Sequence, residues 1–156
     1  MEIRRAREDE IEALTQLFIR SRNAMGDYLP HVPDEAAVPI AARVREHHEL
    51  WVAEEDGRLL GFLGIEHSAN LRADVLERLY VEPAEQNRGV GTALLEKAKE
   101  LRPGGLYLWV FQENPARRLY ERHGFELVRL TDGAENMERE PDALYWWRGS
   151  SDPARG

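Results

Sequence analysis

Two glycines one residue apart, Gly89 and Gly91, lie in the run EQNRGVGTALLEKAK at 85–99, where a helix is about to begin. Glycine costs about 1 kcal/mol against alanine inside a helix, so this position asks for bare backbone. The first four N–H groups of a helix have no partner within it, and the helix dipole adds roughly half a positive charge there. Without Cβ atoms at these two positions, an anion's oxygens can reach that backbone, and Arg88 can add a charge-assisted contact. The chemistry this predicts is phosphate binding; the competing reading is a tight strand-to-helix turn with no ligand. Position 94 is Leu, so the third glycine of a dinucleotide G-x-G-x-x-G is missing, and no Gly-Lys-Ser/Thr ending marks a P-loop.

The elements that must hold this turn follow from periodicity. Val90, Leu94, Ala98 and Leu101 form one stripe of a helix over about 89–101. DVLERLYV at 74–81 reads as the strand before it, and LYLWVFQ at 106–112 as the strand after it, apolar on both faces and therefore expected to be covered on both. Strand, helix and strand make a right-handed βαβ unit. In NPARRLYERHGF, Asn114 is a good N-cap, Pro115 suits the first helical position and Gly124 the C′ position, giving a short helix over about 115–122. Upstream, residues 2–5 read as a strand and 8–22 as a helix carrying Ile11, Leu14, Leu17 and Phe18. A second helix spans about 34–47, with Pro39 as a kink or split point. Residues 50–67 form a hairpin about Asp56-Gly57. Strands at 125–130 and 143–148 close the chain around the polar loop 131–142, giving a sheet antiparallel early and parallel in the middle.

The 156 residues favour one domain, with 42% hydrophobic and 32% charged residues in a globular balance. A net charge of -8, from 29 acidic and 21 basic residues, argues against a nucleic-acid partner. No apolar run approaches a membrane span, so no membrane partner is expected. The absence of cysteine removes disulfides, thiolate metal sites and a cysteine nucleophile. It also fits a cytoplasmic location. The histidines at 31, 47, 48, 67 and 123 show no metal-ligand spacing, His47-His48 reading as a solvated helix end, and no metal is expected.

Gln86, Gly89 and Gly91 fit the pattern Q/R-x-x-G-x-G/A. LERLYVEP precedes it, LLEKAKE follows, and a strand and NPARRLYERHGF complete the order. In these features the chain resembles the GNAT superfamily, the acyl-CoA-dependent N-acetyltransferases. The resemblance runs over nearly the whole chain, strongest at 74–130. It implies a single α/β domain of GNAT type over 1–148, a mixed, splayed sheet with helices on both faces, and a disordered tail at 149–156. It implies acetyl-CoA as cosubstrate, its pyrophosphate on the backbone of Arg88, Gly89, Val90, Gly91 and Thr92. Main-chain groups of Leu79, Tyr80 and Val81 would meet the acetyl and pantetheine arm, and Asn114 would be a polar contact to that arm. Tyr120 takes the place of the family tyrosine facing the thioester sulfur. The expected activity is N-acetyl transfer to a primary amine of a small molecule or peptide, by a monomer or by a homodimer joined through the last strand. The rival reading is a non-catalytic acyl-CoA-binding module.

Chemistry constrains these roles. An alkyl amine with a pKa near ~10.4 arrives protonated and needs a base. Glu77, mid-strand on a face it shares with Val75, Leu79 and Val81, is the first choice; Glu66 is the second, and a solvated glutamate is the plain alternative for each. A phenol near ~10 is a weaker acid than a thiol near ~8.5, so Tyr120 is better suited to hydrogen bonding a departing thiolate than to protonating it; its plain alternative is core packing. Without cysteine, direct transfer in a ternary complex is expected. The resemblance also implies that the loops at 23–33 and 131–142 border the acceptor. The second carries Asp132, Glu135, Glu138, Glu140 and Asp142 against Arg139, and Tyr28, Trp146 and Trp147 are candidates for an apolar wall.

Overall fold

The computed structural model describes residues 1–46 and 49–150. Among them the order is β1 (Glu2–Arg5), α1 (Ile11–Asn23), α2 (Ala37–Arg45), β2 (Glu49–Glu55), β3 (Arg58–Ser68), β4 (Ala73–Val81), α3 (Val90–Leu101), β5 (Leu106–Phe111), α4 (Ala116–Arg122), β6 (Glu126–Leu130) and β7 (Asp142–Trp147). One sheet runs β1-β2-β3-β4-β5-β7-β6. Every pairing is antiparallel except β4 with β5. The expected α/β architecture is therefore present, with a helix pair on each face. Leu94, Leu95 and Ala98 of α3 and Tyr120 of α4 pack on one face with Leu63, Leu76, Leu108 and Tyr145. Leu14, Leu17 and Phe18 of α1 and Ala41 and Val44 of α2 pack on the other with Val52 and Phe62.

Local signals explain most elements. Asp56 and Gly57 both take positive φ, 51° and 80°, the conformation a two-residue hairpin turn requires. The α4 cap forms as expected: Asn114 Oδ1 accepts the Ala116 N–H at 2.9 Å, and Phe125 N–H returns to the Tyr120 carbonyl at 3.0 Å beyond Gly124. Pro39 neither kinks nor splits α2. The preceding turn, Asp34–Ala36, is 3-10, so Pro39 falls in the first α turn, where its missing N–H has no partner to lose.

Three expectations give way. The last strand, β7, lies between β5 and β6 and is paired on both sides, so the exposed edge belongs to β6. β5 is covered unevenly: on its aromatic face Tyr107 meets Trp146 and Phe111 lies against Arg22 and Tyr28, while Trp109 between them is 37% exposed. Of the tail, Gly149 and Ser150 are held, Ser150 N–H donating to the Pro103 carbonyl at 2.9 Å. The remainder of the tail and His47-His48 lie outside the described residues. No helix among the described residues is long and apolar enough to cross a membrane.

Candidate active site

β4 and β5 pair at two positions only, Val75 with Tyr107 and Leu76 with Leu108. Beyond them the strands part, and a cleft of about 1000 Å³ opens between Glu77–Tyr80 and Trp109–Phe111. Main-chain groups of β4 on that side have no strand to bond, an arrangement that suits an extended ligand. Asn114 and Tyr120 stand in the cleft wall, and α1, α2 and the loop after β6 close the other side.

The origin of the parting is local. Gly64 of β3 pairs with Arg78 and Ile65 with Leu76, so Glu77 has no residue opposite and forms a β-bulge. The bulge resets the side-chain alternation and corrects the expected face. Leu79 and Val81 pack with α3 and α4, whereas the charges that reach Glu77 are Glu66, Arg78 and Arg43 of α2, on the opposite side. Glu77 is open to the cleft, yet surrounding protein displaces bulk water from it. That desolvation, reinforced by Glu66, raises its carboxyl above the ordinary value against the pull of Arg78 and Arg43.

Tyr120 is 7% exposed. Burial, with a smaller contribution from Tyr80, pushes its hydroxyl well above the phenol value, so it is held protonated. Tyr80 also lines the cleft, edge-on to Phe18 at 4.7 Å, and its hydroxyl is likewise raised by burial.

At the far end of β4 stands the glycine turn. Gly89 takes φ 82° and caps α3 with no side chain bonded to the helix start. Ala93 N–H donates to the Gly89 carbonyl at 3.0 Å, which leaves the amides of Val90, Gly91 and Thr92 as the helix's open donors. A Cβ at Gly89 would meet nothing within 4 Å; one at Gly91 would touch Val81 Cγ2 at 3.7 Å and Leu119 Cδ2 at 3.8 Å. The Cβ side of Gly89 is thus open, whereas that of Gly91 faces β4 and α4 at ordinary contact distance. The Arg88 guanidinium turns the other way, onto Glu55 at 2.8 Å and onto Glu85, so what Arg88 offers at the turn is its backbone.

Sequence reasoning singled out Glu77, Leu79, Tyr80, Asn114 and Tyr120, and the structure gathers all five around one cleft. Asp132, Glu135, Glu138 and Asp142 also line it, whereas Glu140 and Arg139 do not. The two tryptophans lie elsewhere. Trp146 stacks on Tyr107 at 4.4 Å, and Trp147 packs against Phe125. His67 and His123 pair with Asp74 and Glu96. Missed were Arg22 and Arg78, both lining the cleft. Arg78 follows Glu77 directly in a mostly apolar strand, so the reasoning applied to Glu77 would have found it.

The family comparison agrees with this geometry. The model of the acetyltransferase (GNAT) domain matches residues 46–127. The peptidyl-lysine N-acetyltransferase YiaC of Escherichia coli (strain K12) is 32% identical over 131 residues, covering 81% of this chain and 84% of that one. The putative phosphinothricin acetyltransferase YwnH of Bacillus subtilis (strain 168) is 28% identical over 152 residues, covering 88% and 91%. The structure of PaiA N-acetyltransferase from Thermoplasma acidophilum in complex with coenzyme A superposes with a TM-score of 0.71 at 20% identity, over 94% of this chain and 98% of that one. The chain belongs to the GNAT acetyltransferases and is an acetyl-transferring enzyme.

Proposed function

We propose that this enzyme transfers the acetyl group of acetyl-CoA to a primary amine of a small molecule or peptide, by direct attack in a ternary complex. The observation that carries the reading is the parting of β4 from β5, which leaves an unpaired strand edge leading from Glu77 to an open glycine turn. The related PaiA structure holds coenzyme A, and the relatives YiaC and YwnH bear names of lysine and phosphinothricin acetylation, which supports an amine acceptor.

In this reading the pyrophosphate rests on the amides of Val90, Gly91 and Thr92, joined by the backbone of Arg88 and Gly89. The arm lies along Leu79, Tyr80 and Val81, with Asn114 beside it. The thioester carbonyl meets main-chain N–H groups at the parted edge, which steady the oxyanion. Glu77, directly or through water, takes the ammonium proton; the amine lone pair then forms the C–N bond. The C–S bond breaks as the tetrahedral centre collapses; the second nitrogen proton passes to the departing thiolate, directly or through water, and the Tyr120 hydroxyl meets the developing sulfur charge. Because burial raises that hydroxyl, it donates a hydrogen bond and keeps its proton.

Incubation with acetyl-CoA and a pool of amino acids, polyamines, aminoglycosides and peptides tests the reading. An acceptor gaining the mass of one acetyl group, with intersecting two-substrate initial-rate lines, is expected. Parallel lines would point to an acyl-enzyme and contradict direct transfer.

A further inference from the structure

Two buried donors bracket one ring at the edge of the cleft. Arg22, in the last turn of α1, lays its guanidinium over Phe111, 6.0 Å from the centroid, and Tyr28 meets the same ring edge-on at 6.3 Å. The Arg22 side chain is 10% exposed. Its Nε and the Tyr28 hydroxyl are the buried side-chain polar atoms that lack a hydrogen-bond partner among the described residues. Buried polar groups are nearly always paired, and an orphan carries a desolvation cost that an incoming acceptor oxygen removes. Glu138 approaches Arg22 no closer than 3.9 Å, outside hydrogen-bond range.

A second cation stands beside the first. Arg78, 8% exposed, lies over Phe18 at 5.2 Å, and Phe18 is one helical turn before Arg22 on α1. Both arginines line the cleft, and both act on the Tyr80 hydroxyl. The acidic side chains Asp132, Glu135 and Glu138 enter the cleft from the loop after β6, so the lining is divided in charge.

We propose that Arg22 and Arg78 in the cleft wall, with the unpaired Tyr28 hydroxyl across Phe111 as a further donor, bind an oxyanion carried by the acceptor, which makes the preferred acceptor a zwitterion of amino-acid size: a primary amine bearing a carboxylate, phosphinate or phosphonate. The inference rests on the reading of this cleft as the amine site. A guanidinium fork matches a pair of oxygens on a carboxylate or a phosphorus oxyanion in two parallel hydrogen bonds. A polyamine would set its second cation against two buried arginines, which selects against it.

The test uses matched acceptors: amino acids or aminophosphonates, each against the same amine with the oxyanion amidated or removed. Thiol release and calorimetric binding are both measured. The wild type is expected to favour the oxyanion-bearing member at least tenfold in kcat/KM. Arg22→Gln should erase that preference and Arg22→Lys restore part of it, with acetyl-CoA binding reporting the fold of each variant. The wild-type preference decides alone if the variants do not fold. Equal turnover of both members by the wild type overturns the oxyanion site and leaves the transferase reading intact. Arg22-dependent binding of the zwitterion with no transfer to any amine keeps the site and overturns the transferase reading. Absence of both overturns both.

Discussion

Tyr120 and Glu77 are each moved from their ordinary acidity in the direction their proposed roles need. Burial holds the Tyr120 hydroxyl protonated, so its loss removes one hydrogen bond to developing charge, about 1.5–3 kcal/mol. Tyr120→Phe is therefore expected to lower kcat roughly 10- to 100-fold with acetyl-CoA affinity little changed; unaltered kinetics would reduce the residue to packing. For Glu77, desolvation raises the carboxyl. The base form is then lost on acidification from a higher pH than for a free glutamate, and kcat/KM should show an acidic limb that Glu77→Gln flattens. An unchanged profile would transfer the role to Glu66 or a water chain. The same shift has a sign for stability. Between the ordinary carboxylate value and the raised one, the folded chain binds more protons than the unfolded chain, so this group's contribution falls as pH rises. Glu77→Gln should consequently melt at or above the wild-type temperature at neutral pH.

At the scale of elements, two glycines of the turn separate by function. Gly89 needs its positive φ, and an alanine there costs about 1–2 kcal/mol. Gly91 has only ordinary contacts waiting for a Cβ. Gly91→Ala should melt like the wild type, whereas Gly91→Glu, sending a carboxylate toward the open amides, should fold and fail to bind acetyl-CoA in calorimetry. Unchanged affinity would remove the anion-site argument. The β3–β4 ladder supplies a structural counterpart. A Cβ on Gly61 would stand 2.7 Å from the Tyr80 carbonyl oxygen and 3.1 Å from Leu94 of α3. Gly61→Val should thus cost about 1–3 kcal/mol through overpacking, read as a melting temperature several degrees lower.

Which of these elements was legible depends on how local its cause is. The Asp56-Gly57 hairpin, the Asn114 cap with its Gly124 stop, and the α3 stripe all follow from neighbours in sequence. The glycine turn and Tyr120 were legible for the same reason. The bulge at Glu77 was not, because one unpaired residue depends on the register against β3 and leaves no mark in composition. The exposure of Trp109 on the aromatic face of β5 was not legible, because an apolar row looks the same whether or not every residue in it is covered. The place of β7 inside the sheet, and the Arg22–Phe111–Tyr28 grouping, are set by contacts between distant segments.

At the scale of the molecule, the sheet carries a core on each face, and its two halves are joined between β4 and β5 at two residue pairs. A cosubstrate filling the gap would tie them together. By linkage, acetyl-CoA at 100 times its Kd should add about 2.7 kcal/mol to stability, a rise of several degrees in melting temperature absent from Gly91→Glu. In the proposed function this gap is where acetyl-CoA meets an amine. Thiol release from acetyl-CoA, followed for the wild type and Gly91→Glu against the same amine pool, addresses it directly. Release that depends on particular acceptors is expected in the wild type, and none in Gly91→Glu. Wild-type protein that binds acetyl-CoA yet releases no thiol with any acceptor, or equal release by both proteins, would contradict it.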